Sequence, residues 1–123
     1  MEVYWNPQHT EYAILVSRGF GAGWSTWNSK ELAYDKRVIE WYLEHDYSDF
    51  LNKVKLYSPE SIEHKEATEF FNSLGYGSPY FGGLQLNMIE WVPAGKRWRI
   101  DEYDGSESIH FANDDDWIIF NNE

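Results

Sequence analysis

Asp104-Gly105 stands between two runs of alternating apolar and polar residues, and no other dipeptide in the chain constrains the fold as strongly. Both central residues of a type I′ turn need positive φ, which Asp-Gly tolerates. Residues 97–103 and 106–112 are therefore expected to pair as a hairpin, and the register follows by counting outward from the turn. Tyr103 faces Ser106, Glu102 faces Glu107, Asp101 faces Ser108, Ile100 faces Ile109, Arg99 faces His110 and Trp98 faces Phe111. Trp98, Ile100, Ile109 and Phe111 share an apolar face with Glu102 and Glu107 at its end. The opposite face presents Arg97, Arg99, Asp101, Tyr103 and His110. Carboxylates directly across a ladder repel one another. Glu102 and Glu107 are expected either to splay into water or to hold an Arg, a Lys or a polar ligand group.

The remaining periodicities point to an α+β fold. Residues 12–17 (YAILVS) read as a buried strand. A helical pattern runs from Ser29, a candidate cap, to about Glu44, with Leu32, Val38, Ile39, Tyr42 and Leu43 near one face. A short helix is expected over 48–56 with Phe50, Leu51 and Val54 inward. A third is expected over 58–74, with Ser58 as cap, Pro59 at the first helical position and Gly75 as the stop. Its buried stripe would be Ile62, Phe70, Phe71 and Leu74. Residues 84–92 read as a strand whose spacing suits a bulge, 113–116 as a turn, and 117–120 as a last strand. The expected architecture is one domain over residues 1–123: an antiparallel β-meander sheet of about four or five strands with two or three helices packed on it.

Charge and composition narrow the function. Twenty-one acidic residues against 10 Lys and Arg give a net charge of -11, which repels nucleic-acid phosphates and anionic membranes. The absence of cysteine excludes disulfides, thiolate zinc sites and cysteine nucleophiles. An aromatic fraction of 19% supports a packed core. The longest apolar run, residues 12–16, falls far short of the roughly 20 residues of a membrane helix, and the start, MEVYWNPQHTE, has no signal-peptide pattern. Ser25 lacks a nucleophile elbow, the four histidines form no zinc motif, and Asp114-Asp115-Asp116 lacks the pattern of a calcium loop. The expectation is a non-enzymatic, intracellular protein with no cofactor, no metal, no membrane contact and no direct nucleic-acid partner.

Two glycine- and aromatic-rich segments are the candidate binding elements. Gly19-x-Gly21-x-Gly23 follows a strand and precedes a helix, but Trp24 stands where a dinucleotide fingerprint needs Gly, and no Walker pattern is present. The loop is either a tight turn packing Phe20 and Trp24 into the core, or a ligand loop with Arg18 as its charge. The second segment, residues 76–83, carries Tyr76, Tyr80 and Phe81. In the ligand reading, Trp24 and Trp27 stack on a base and Gly21 and Gly23 bring backbone N–H groups to phosphate. Asn28, Tyr80 and Phe81 line the cleft, Arg99 adds charge, and Asp101 or Glu102 accepts from ribose or base. Loop aromatics including Trp5, Trp27 and Phe81 also suggest a homo-oligomer.

The run from Leu15 through Arg18-Gly19-Phe20-Gly21-Ala22-Gly23-Trp24-Ser25-Thr26-Trp27-Asn28 resembles the N-terminal motif of a family of small, largely uncharacterised bacteriophage accessory proteins. The resemblance continues through Ala33-Tyr34-Asp35-Lys36, Gly82-Gly83, Trp91-Val92-Pro93-Ala94-Gly95 and Glu102-Tyr103-Asp104-Gly105-Ser106-Glu107-Ser108-Ile109. It spans most of residues 15–109, apart from 44–80. It implies a viral protein acting in the host bacterial cytoplasm and brings no established activity. By analogy with other small acidic phage proteins, two functions are expected. One is sequestration of a nucleotide-derived small molecule. The other is inhibition of a host defence protein, a nuclease or DNA-binding protein, by an anti-CRISPR-like DNA mimic using Asp101, Glu102, Asp104, Glu107 and Asp114 to Asp116.

Overall fold

The computed structural model describes residues 2–82, 87–111 and 118–121. Its organising element is β1 (Glu11–Ser17), buried from Tyr12 through Ser17. Successive side chains leave a strand on opposite faces, so such a run needs cover on both sides. Ala13 and Leu15 enter one core with Trp24, Val38, Ile39, Tyr42, Leu56 and Phe71. Tyr12, Ile14 and Val16 enter a second with Tyr34, Val92 and Trp98.

β1 pairs antiparallel with β2 (Asn87–Pro93), from Glu11↔Pro93 to Ser17↔Asn87. β3 (Trp98–Tyr103) pairs with β4 (Ser106–Phe111) in the register counted from the sequence, and Asp104 and Gly105 take φ of 49° and 86°. The fold is α+β, with antiparallel strands and, among the described residues, three α-helices. The described strands form two two-stranded ladders in place of one sheet of four or five. β4 meets the end of β1 through the Glu107 side chain, so the second ladder does not continue the first. Ile118, from the expected last strand, exchanges both backbone bonds with Trp98. Residues 84–86 and the expected turn at 113–116 lie outside the described residues.

The helices depart from expectation at their starts and faces. Residues expected to begin a helix at Ser29 form a short 3-10 turn, Lys30–Ala33, and α1 (Lys36–Glu44) begins after Asp35. Asp35 caps it by accepting from Arg37 N at 2.9 Å. α2 (Phe50–Tyr57) is capped by Asp49, and Leu56 is its buried residue. Phe50 and Leu51, expected inward, are 75% and 69% exposed, and Val54 is exposed with them. α3 (Ile62–Asn72) is capped by Ser61, whose hydroxyl accepts from His64 N, while Ser58 and Pro59 fall in the preceding turn. Ala67 and Phe71 are buried there and Ile62 is exposed. No helix among the described residues is long and apolar enough to cross a membrane.

Candidate functional site

The 104–105 turn docks on the first glycine loop. Gly21 N donates to Asp104 O at 2.6 Å, and a Cβ at Gly105 would lie 2.5 Å from Ala22 N. This approach carries Glu107, one residue into β4, to the end of β1. Its carboxylate is 1% exposed. One oxygen accepts from Ser17 N at 2.9 Å; the other accepts from Trp24 N at 2.9 Å, Thr26 N at 3.1 Å and the Thr26 hydroxyl. A buried charge is tolerated when converging dipoles satisfy it. Glu107 therefore neither splays into water nor holds a cation; the polar group it holds is the chain's own loop. Glu102 is the exposed member of the pair and accepts from Gly105 N at 2.7 Å.

The consequence for the ligand reading is direct. Of the amides expected to meet a phosphate, Gly21 N is occupied from within by Asp104 O, and the neighbouring amides of Trp24 and Thr26 are taken by Glu107; no bond from Gly23 N to a described residue is formed. Trp24, expected as a stacking surface, is 0% exposed and packs edge-on against Phe71 at 5.4 Å. Glu107 holds the Trp24 amide inside the fold, so the ring enters the core. Arg18 pairs with Glu90 across the first ladder. Arg99 pairs with Asp101 at 2.9 Å and lines, with Ser25 and Lys30, a separate hollow of about 190 Å³. Arg18, Arg99, Asp101 and Glu102 are therefore not gathered with the aromatic cleft.

Four of the expected residues do come together. The Asn28 amide donates to Trp24 O at 2.9 Å and Tyr80 O at 2.7 Å, and its carbonyl accepts from Tyr80 N at 2.9 Å. Trp27 stacks on Tyr80, centroids 6.1 Å apart. The two glycine-rich segments are thus joined at Trp27, Asn28 and Tyr80. Beyond Tyr80 opens a cleft of about 620 Å³ between the end of α2, α3 and residues 79–82, a size suited to small ligands. Phe81, packed on Phe71 and His64, lines it with Val54, Tyr57, His64 and Tyr80. His64 Nδ1 lies 3.0 Å from Leu56 O. A carbonyl only accepts, so Nδ1 carries a proton, and in the neutral ring Nε2 is then the acceptor.

Val54, Tyr57 and His64 escaped the sequence reading. The available signal was that Phe50, Leu51, Val54 and Tyr57 form one helical stripe while Leu56 belongs to another. Around the hairpin, Glu107 is buried, Glu102 serves the turn and Asp101 faces Arg99 and His110. These three do not form a free acidic stripe, and Asp114 to Asp116 lie outside the described residues. Among the described residues no cluster of three or more metal-ligating side chains occurs. Compared with protein-family models, curated proteins and solved structures, the chain matches none.

Proposed function

We propose that the protein is a non-enzymatic binder that holds a flat, largely apolar ring, such as a nucleobase, in the cleft formed by Tyr57, His64, Tyr80 and Phe81. The carrying observation is the cleft itself: aromatic walls, a volume of about 620 Å³, and one imidazole nitrogen able to accept from a ring N–H. Sequestration of a nucleotide-derived molecule by a phage accessory protein is compatible with this chemistry only through the base. Of the two expected phosphate donors, Gly21 N is already bound to Asp104 O, and the Glu107 carboxylate beside the loop on Trp24 N and Thr26 N disfavours a second anion there.

The test is titration of the protein with adenosine, guanosine and their 5′-monophosphates, followed by amide shifts of Tyr57, His64, Tyr80 and Phe81. Nucleosides should bind at least as well as the monophosphates. Failure of all four compounds to move these amides at about 1 mM, some 4 kcal/mol of binding, would remove the ligand class. A second reading is favoured by Phe50, Leu51 and Ile62, whose exposure extends the apolar surface beyond a single ring. It makes the protein an inhibitor that covers a host protein. A stoichiometric complex recovered from host lysate, and lost on Leu51→Asp, would decide for it.

A further inference from the structure

Among the described residues, β2 has a ladder partner on one side only. Three groups of bonds show which of its backbone groups face the other side. Ala13 N donates to Tyr4 O at 2.9 Å, and Ser17 N donates to Glu107, so neither residue uses its N–H on its cross-strand neighbour, Trp91 or Asn87. Asn87 O agrees, accepting from Lys53 Nζ at 2.6 Å and Tyr42 OH at 3.0 Å. Antiparallel alternation places Leu15↔Ile89 in the same phase. The N–H and C=O groups of Ile89 and Trp91 therefore point away from β1, and no described residue pairs with them.

Beside this edge lies a hollow of about 430 Å³, bounded by Tyr42, Leu43, Asp46, Lys53, Ile89 and Trp91, with the Asp46 carboxylate accepting from the Ser48 hydroxyl and not paired with Lys53. Leu43 and Trp91 keep more than two-fifths of their surface exposed, at 44% and 42%. Lys53 is half-buried, makes one hydrogen bond, and has no carboxylate within ion-pair distance among the described residues. Burial alone holds its ammonium below the usual lysine range. Asn87, 1% exposed, leaves both atoms of its carboxamide without a partner among the described residues. Among the described residues, an unpaired strand edge, a largely apolar hollow and a cation without an ion-pair partner stand together.

We propose that the outer edge of β2 takes the C-terminal end of an extended peptide by strand addition, with its terminal carboxylate on Lys53 and an apolar last side chain in the hollow. Direction supports the assignment. β2 runs from Asn87 to Pro93, so a strand added antiparallel runs the other way and ends beside Asn87, where Lys53 sits. Charge selects the occupant. A second copy pairing through β2 would set one -11 chain against another, whereas a peptide terminus supplies one anion where the cation is.

The experiment uses the full chain, labelled with ¹⁵N, and a hexapeptide library of Thr and Val with the last two positions randomised. The library is made with a free carboxylate, with a terminal amide, and with backbone N-methylation. The free acid should shift the Ile89 and Trp91 amides, and the amide form should bind about tenfold or more weaker, or about 1.4 kcal/mol. N-methylated peptides should not bind, and Lys53→Met should reduce the acid to the level of the amide. Equal binding of acid and amide, binding of N-methylated peptides, or no shift at about 1 mM would overturn the proposal. The same would follow if these amides shifted on concentrating the protein alone, which would assign the edge to a second copy. Tyr80 and Phe81 report separately on the aromatic cleft, so either site can fail without the other.

Discussion

Residues 19–28 and 76–82 share a composition of glycine and aromatics but not a fate. The first closes around Glu107, which binds its amides and sets Trp24 against Phe71 in the core. The second is held by Asn28 on the Tyr80 backbone and by Tyr76 OH on Asp35 at 2.8 Å. Those bonds leave the Tyr80 ring at the surface, 47% exposed. Composition marks where a loop can approach another backbone closely. Whether it can also bind a ligand depends on who already holds its donors. Glu107 occupies the place an anion would take, so the first loop is filled from within and the second stays open.

The largest effects should come from breaking the closed loop. Trp24→Ala should cost about 3–5 kcal/mol, the usual penalty for truncating a buried large aromatic, read as a fall in denaturation midpoint. Glu107→Gln should cost about 2–4 kcal/mol, because one carboxylate oxygen becomes an NH₂ facing N–H donors. A midpoint within error of wild type would mean that Glu107 does not hold the loop. A paired substitution compares the two regions more directly. Gly105 and Gly77 have φ of 86° and 80°, so Ala at either meets a similar backbone penalty of about 1–2 kcal/mol. Only Gly105 lies against backbone, while Gly77 has nothing within 4 Å of its Cβ position. Gly105→Ala should therefore be the more destabilising, and equal costs would remove the close approach from the account.

What the sequence made legible was local. The hairpin register rests on a turn dipeptide and a period of two, both contained within a few residues, and all six expected pairs form. The helix starts are ambiguous for a physical reason: Ser29 and Asp35 are both residue types that favour the cap, as are Ser58 and Ser61, and only Asp35 and Ser61 make the capping bond. α2 offers two apolar faces, and periodicity does not say that Leu56 is the inward one. Glu107 was found opposite Glu102, but its partners Ser17 and Trp24 lie 90 and 83 residues away. No local pattern reports such a contact. Loop position leaves Trp24 open between core and surface; the Glu107 carboxylate that draws the loop inward decides for the core, while Phe20, its companion in the tight-turn alternative, stays 66% exposed.

A smaller effect links the second loop to pH. Burial pushes the Asp35 carboxyl up, but hydrogen bonds from Arg37 and Tyr76 outweigh it and leave the carboxyl lowered. A folded value below the unfolded one means that the unfolded chain binds more protons between the two. The stabilisation is full above the ordinary carboxyl value of about 4 and is lost as pH falls through the folded value. Tyr76→Phe should remove one of these bonds, cost about 1–2 kcal/mol at neutral pH, and flatten the loss of stability in acid. Urea midpoints at pH 7 and pH 3 check both parts. An unchanged acid dependence would mean that Arg37 alone holds Asp35 down.

The smallest change in stability should come from Tyr80→Ala, and it is the substitution that most sharpens the contrast with Trp24. The Asn28 clamp uses the Tyr80 backbone N and O, so alanine keeps both bonds. What is lost is a half-exposed ring and its stacking on Trp27, worth about 0.5–1.5 kcal/mol. If the open cleft stacks a planar ligand on Tyr80, the same variant should lose about 1–3 kcal/mol of binding, or ten- to a hundredfold in affinity. Asn28→Ala supplies the opposite case, since it cuts the clamp and leaves every cleft ring in place. It should lower the thermal midpoint more than Tyr80→Ala does and weaken binding less. Should Tyr80→Ala instead unfold the protein as Trp24→Ala does, the 76–82 segment would be a second structural loop, and the ring-binding function would fall with it.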